Sequence, residues 1–251
     1  MASKVTKIAE QAKTKKAAVT AAKIKPEITK SKSGILTLPG MTTDSMRVLV
    51  IGTAPLIVHK FSAKQEQILL EKHMGEATPG GREIKDPQAN FEAARYHLSD
   101  NSDGIPAVSF KKSIVAMCGK DAGIFKNKAG AIRVIADDLS TGLCRILIPD
   151  GQPTIHQEIV RNANGMPDIR HRPQYWPWAC LLQISFIERY AAPARILQVI
   201  ETAGYMQGVA EKRPGKSDHQ NGTFRLANAD EIAAFERDEL FDTVTALAAA
   251  E

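Results

Sequence analysis

Residues 178–226 read WACLLQISFIERYAAPARILQVIETAGYMQGVAEKRPGKSDHQNGTFRL, and the fold turns on how they divide. The apolar run from Ala179 to Ile187 reads as a strand. Pro193 opens a helix that runs to Ala203, because proline at a first helical position lacks only an N–H that would go unpaired anyway. Gly204 reads as the left-handed cap that ends this helix. A basic loop follows to Gly222, and Thr223 to Leu226 closes as a short strand. Strand, helix and strand in this order make one βαβ half-unit, and its loop carries Lys212, Arg213 and Lys216.

Working outward, a matching first half-unit is expected upstream. Met46 to Ile51 is a continuous apolar run bounded by Gly52 and Pro55, and reads as the first core strand. A second short run, Leu56 to Val58, leads into His59-Lys-Phe-Ser62, where Ser62 is placed to cap a helix from Ala63 to Met74 with Ile68 and Leu69 on its apolar face. Glu76 to Lys85, around Pro79-Gly-Gly81, is a polar turn, and Asp86 to Leu98 has helical spacing through Phe91, Ala94 and Leu98. After a loop at Asp100 to Gly104, Ser109 is expected to cap a helix that turns Ile114, Val115 and Cys118 inward and Lys111 and Lys112 outward. Short β runs at 131–135, 143–148 and 153–160 predict a hairpin-rich insertion, while 161–177 has no period. If the two half-units pair as a four-stranded antiparallel sheet, their basic segments converge on one exposed face.

The chain has 251 residues, 43% of them hydrophobic, enough to bury a substantial core. No apolar run reaches the roughly 18 residues of a membrane span, and the first thirty residues lack the apolar core of a secretory signal, so the expectation is a cytoplasmic protein with no membrane partner. Cys118, Cys144 and Cys180 sit far apart in apolar segments with no C-x-x-C pair, which predicts buried reduced thiols. The net charge of +5 is unevenly spread. Residues 1–33 hold nine lysines against Glu10 and Glu27, for +7; residues 229–251 carry −6; residues 34–228 carry +4. The tail, rich in Lys, Ala, Thr and Ser, predicts disorder, because it has too few large apolar groups to offset its ordering entropy. It is also a candidate arm for a polyanion or an acidic protein partner. Residues 228–250 predict one acidic helix with Ile232, Phe235, Leu240 and Phe241 on a single face.

No Walker A, G-x-G-x-x-G or H-E-x-x-H pattern occurs, which removes sequence support for nucleotide hydrolysis, dinucleotide binding and zinc hydrolysis. The six histidines show no ligand spacing, and Asp100, Asp103, Asp137 and Asp138 are explained as turn formers, so neither metal nor cofactor is expected. His59, between the first strand and its helix, is the one candidate general base. What remains is a scattered basic and aromatic constellation: Lys60, Lys111, Lys112, Arg170, His171, Arg172, Lys212, Arg213, Lys216 and Arg225 for phosphates, with Tyr175 or Trp176 for stacking on bases.

Two motifs carry a resemblance. Ile105-Pro-Ala-Val-Ser-Phe-Lys111 and the glycine loop Gly204-Tyr-Met-Gln-Gly208 through Gly222-Thr-Phe-Arg225 resemble features of the repeat-associated mysterious protein (RAMP) superfamily, in particular the backbone subunits of CRISPR effector complexes. The resemblance covers about residues 46–226. It implies an α+β fold with a ferredoxin-like, RRM-like βαββαβ core over 34–228, interrupted by insertions at 76–104 and 119–177. It also implies side-by-side copies that bind single-stranded RNA along its backbone. The basic tail and acidic C-terminal helix depart from the family pattern, and the tail-bearing chain also resembles phage-encoded proteins. The expected function is therefore non-enzymatic binding of single-stranded nucleic acid, RNA ahead of DNA, by a homo-oligomer. A metal-independent endoribonuclease using His59, and a phage structural or interaction protein docking through its tail, are the alternatives.

Overall fold

A computed structural model describes residues 29–30, 36–37, 42–61, 67, 70–71, 73–74, 86–119, 123–124, 126–149, 151–161 and 165–248. The chain divides into two compact units, Met1–Met41 and Thr42–Glu251. In the first, β1 (Thr29–Lys30) pairs antiparallel with β2 (Leu36–Thr37). Two residues of the stretch expected as a disordered tail thus form a strand, and the rest of that stretch lies outside the described residues. The proposed Ser62 cap also lies outside them.

The second unit is α+β, with antiparallel sheets. Its centre is β3 (Asp44–Gly52) beside β10 (Ala179–Phe186), with Ile51 opposite Ala179 and Asp44 opposite Phe186. β6 (Ile132–Ile135) flanks β10, and β11 (Phe224–Leu226) flanks β3, giving the order β11-β3-β10-β6. Because β10 and β11 both run antiparallel to β3, they are parallel to each other with β3 between them. β3 and β6 stand in the same relation across β10. Each parallel pair is joined by a helix: α2 (Ala107–Met117) lies between β3 and β6 in the chain, and α3 (Pro193–Met206) between β10 and β11.

Both faces of the sheet are covered, which is why its central strands read as continuous apolar runs. On one face Val48, Val50, Cys180, Leu182, Ile184 and Phe186 join Phe110 and Ile114 of α2 and Ile196, Val199 and Ile200 of α3 in the main core. On the other, Leu49, Ile51 and Ala179 pack with Leu240, Phe235 and Phe241 from two C-terminal helices, α4 (Ala229–Glu236) and α5 (Leu240–Ala248). The remaining elements lie outside this sheet, although Ile132–Ile135, inside the expected insertion 119–177, belongs to it. β4 (Leu56–Ile57), β8 (Thr154–Arg161) and β9 (Pro167–Tyr175) form a three-stranded sheet in the order β4-β9-β8. β5 (Gly104–Pro106) pairs with β7 (Leu143–Arg145), and α1 (Pro87–Ala93), capped by Asp86, packs against β9. Among the described residues no helix is long and apolar enough to cross a membrane.

Several local expectations are corrected. Pro167–Tyr175, within the stretch expected to have no period, forms β9, its period hidden because Arg172 occupies a buried position where an apolar side chain would have marked a strand. The C-terminal segment is two helices, since Asp238 is left-handed (φ 59°) and breaks the run. Asn228 and Glu231 form a capping box at the start of α4. α2 begins at Ala107 with Pro106 before it, so Ser109 lies inside the first turn rather than capping it.

Gly204 is not the cap of α3. The helix continues to Met206, and Gly208 (φ 60°) takes the left-handed conformation instead. Gly204 faces β11, where a Cβ would overlap the backbone carbonyl of Phe224. Glycine is needed there for close approach, and Gly204→Ala should cost about 1–3 kcal/mol of stability as an overpacked site. Thermal unfolding followed by circular dichroism checks this; an unchanged midpoint would contradict so tight a contact.

Candidate functional site

The turn after β3 is held by Trp178, whose Nε1–H donates to the carbonyl of Ala54 at 2.8 Å. From there the chain runs through β4 to His59-Lys60-Phe61. Val58 N–H donates to the Pro173 carbonyl at 3.2 Å and Lys60 N–H to that of Ala94 at 3.0 Å, so this strap is fixed between β9 and the end of α1. The basic loop after α3 is pinned to the same strap. Glu211 N–H donates to Ile57 O at 3.0 Å, Val209 N–H to Gly222 O at 2.9 Å, and Gly222 N–H to Pro55 O at 2.9 Å. Ala210 (φ 61°) and Lys212 (φ 51°) are left-handed. Such conformations in non-glycine residues are strained and concentrate where a side chain must be aimed.

Two adjoining cavities result, sharing His59, Phe61 and Glu211. One, of about 340 Å³, is lined by Lys112, Arg213 and Lys216 with Ser109 and Tyr96. The other, of about 460 Å³, is lined by Lys60, Arg170, His171 and Arg172 with Asn90. Seven of the ten residues singled out in the sequence for phosphates, from segments as distant as Lys60 and Lys216, therefore line one pair of cavities together with His59. Among the described residues no carboxylate pairs with Lys112, Arg213 or Lys216, whereas Arg170 Nε lies 3.7 Å from Asp168.

Other expected contacts are corrected by burial and pairing. Arg172 is 4% exposed, its Nη1 3.8 Å from Glu158 and 3.5 Å from Glu211, and Lys212 pairs with Glu158. Arg225 donates to both carboxylate oxygens of Glu231, at 2.8 and 2.6 Å. A buried or half-buried cation requires such partners, and these three are committed to them. Tyr175 is fully buried and donates to Asp103 Oδ1 at 3.0 Å, so it has no ring face to offer a base. Asp103 also accepts from Arg95 at 3.0 and 2.7 Å. Trp176 is 52% exposed but lines neither cavity, and the same holds for Lys111, one residue around the helix from Lys112.

The aromatic group the sequence reading missed is Phe61, 57% exposed and lining both cavities, its ring centroid 5.6 Å from that of His59. A lone Phe beside a predicted helix cap carries no sequence signal of its own; only its exposure marks it. The pKa of His59 is lowered by burial and then by the positive charge of Arg172, which favours the neutral imidazole. The suspected turn aspartates are engaged both by their own turns and by distant segments: Asp100 with Ser102 and Arg145, Asp138 with Ser140 and Ser99, and Asp137 with the backbone of Arg145. The three thiols are buried, and burial raises the pKa of each.

No protein-family model matches the chain, and no curated protein matches it.

Glu158 and Glu231 each bear on acid stability. Burial raises both pKa values, but Lys212 beside Glu158 and Arg225 beside Glu231 outweigh it and hold them below the ordinary glutamate value. A depressed carboxylate contributes stability that is complete above its unfolded-state pKa, near 4.3, and is lost as pH falls through the folded value. Glu231→Gln should cost on the order of 2 kcal/mol at neutral pH. It should also flatten the acid limb of a urea-midpoint profile between neutral pH and about pH 3; a variant profile parallel to the parent's would remove the ion pair as its cause.

Proposed function

We propose that this protein is a non-enzymatic binder of single-stranded nucleic acid, RNA ahead of DNA, built on a ferredoxin-like, RRM-like core. The strand order β11-β3-β10-β6, with a helix joining each parallel pair, supports that core. The resemblance to the RAMP superfamily gains support from where its motifs fall. Ile105 to Lys111 spans the end of β5 and the first turns of α2, and the glycine loop lies between α3 and β11.

The observation that carries the reading is the convergence of Lys112, Arg213 and Lys216, unpaired by any described carboxylate, beside an exposed Phe61 with Lys60 and Arg170 beyond it. Cations on either side of an open ring match the alternation of phosphate and base along a strand. The ring can be used only by an unstacked base, which favours a single strand. The strand would run along this rim and not across the sheet, because α4 and α5 cover the sheet face that an RRM leaves open. Ile155 and Ile159 on β8, 45% and 70% exposed, offer an apolar surface for a neighbouring copy in a side-by-side assembly.

Binding of a short oligonucleotide should weaken steeply with salt. Five phosphate contacts predict a slope of roughly −3 to −4 in a plot of log affinity against log salt, at about −0.7 per contact for a single strand. Alanine at Lys60 or Lys216 should reduce the slope by close to one contact, and Phe61→Ala should cost about 1–3 kcal/mol with the slope unchanged. A flat salt response would end this reading.

One observation favours a second reading, a metal-independent endoribonuclease. His59 is shifted toward the neutral form that accepts a proton, and it lines both cavities among cations suited to a transition-state phosphate. Labelled RNA incubated with chelator should then be cut by the parent and spared by His59→Ala. Equal cutting by both, or none by either, rejects it.

A further inference from the structure

The two cavities differ in charge. The smaller holds three cations, and the one carboxylate on its wall, Glu211, has an oxygen 3.5 Å from the buried Arg172. In the larger, Arg170 has Asp168 at 3.7 Å and Arg172 is committed to Glu158 and Glu211, so Lys60, whose Nζ stands over the Tyr96 ring at 5.9 Å, carries most of the charge not matched by a carboxylate. An internal phosphodiester brings one negative charge and two non-bridging oxygens. A terminal phosphomonoester brings nearly two charges and three oxygens at neutral pH. Three cations from two elements match the monoester, while the Lys60 side matches a diester.

The shape agrees with the charge. Val58 and Ile105, both core residues, line the smaller cavity, so a chain that enters meets the packed interior and does not pass through. About 340 Å³ is near the lower end of small-molecule pocket volumes, room for a terminal nucleotide more than for a continuing strand. Ser109, a hydroxyl-bearing side chain, lines the same wall. Phe61, shared by both cavities, stands where the first base would stack between the end phosphate and the next one.

We propose that the Lys112–Arg213–Lys216 cavity is an end site, taking the terminal phosphomonoester of a single strand and discriminating it from a hydroxyl end. This rests on the nucleic-acid reading above and adds a polarity to it: the strand starts in the smaller cavity and leaves past Phe61 toward Lys60 and Arg170. Either end of a strand can carry such a group, so the shared chemistry is the phosphomonoester, and the test separates the two sources.

The test is fluorescence anisotropy of the full chain with one short, internally labelled oligonucleotide in three forms: 5′-phosphate, 3′-phosphate, and hydroxyl at both ends. At least one phosphorylated form should bind roughly tenfold tighter than the hydroxyl form, the scale of an added charge-assisted contact. A nucleoside monophosphate should compete where the nucleoside does not. In Lys112→Ala and Lys216→Ala, both surface truncations whose folding thermal melts can check, the ratio of phosphorylated to hydroxyl affinity should collapse toward unity. In Lys60→Ala all forms should weaken together with the ratio preserved. Equal binding of the three forms overturns the end site and leaves the nucleic-acid reading standing. A preference that survives both lysine truncations overturns it as well. Binding of none overturns both.

Discussion

The arrangement depends on Trp178 lying across Gly52. A Cβ at residue 52 would overlap the indole, and the indole Nε1–H in turn holds the Ala54 carbonyl. Trp178 also meets Phe224 edge-on, at 6.4 Å between ring centroids, and Phe224 meets Phe110 of α2 at 5.6 Å. One aromatic cluster therefore ties β3, β11 and α2 together beside β10, and Gly204 lets α3 close on β11 directly above it. Such edge-to-face packing is directional, so it specifies the arrangement as well as burying area.

The rim inherits its geometry from that cluster. The turn gripped by Trp178 sends the chain through β4 to His59 and Phe61. The loop that leaves α3 is laced back to the same turn by backbone hydrogen bonds from Gly222 to Pro55 and from Glu211 to Ile57. These bonds are made by backbone groups, and the side-chain pairs Lys212–Glu158 and Glu211–Arg172 join them, while Arg213 and Lys216 have no carboxylate partner among the described residues. The left-handed Ala210 and Lys212 mark where the backbone yields to accommodate this.

The cations sort into two populations. Arg95 faces Asp103 across the loop after α1, and Arg172, Lys212 and Arg225 face carboxylates that tie β8 and β9 to the loop after α3 and α4 to β11. Removing a partner would leave a costly buried charge, which makes them structural groups. Lys112, Arg213 and Lys216 have no such partner among the described residues, and their mutual repulsion in one cavity has no structural use. Uncompensated like charge gathered at a concave site is a feature that a polyanion would relieve.

What was legible in the sequence is what depends on neighbours along the chain. The apolar runs of β3 and β10, the start of α3 at Pro193, the close of β11 and the three basic segments all follow from local period and composition. β9 escaped because one of its buried positions is an arginine and another a proline, and α5 because a single left-handed Asp238 divides an even helical pattern. Which cations are available is a different kind of fact. Arg172 is withdrawn by Glu158 across a hairpin and by Glu211 from a distant loop, Tyr175 by Asp103, and Arg225 by the buried Glu231. Phe61 gains its meaning only from two cavities that no stretch of sequence contains. Composition and period determine elements because those forces act between residues close in the chain. Partnership and exposure are set by tertiary structure, because desolvation and pairing depend on what lies nearby in space.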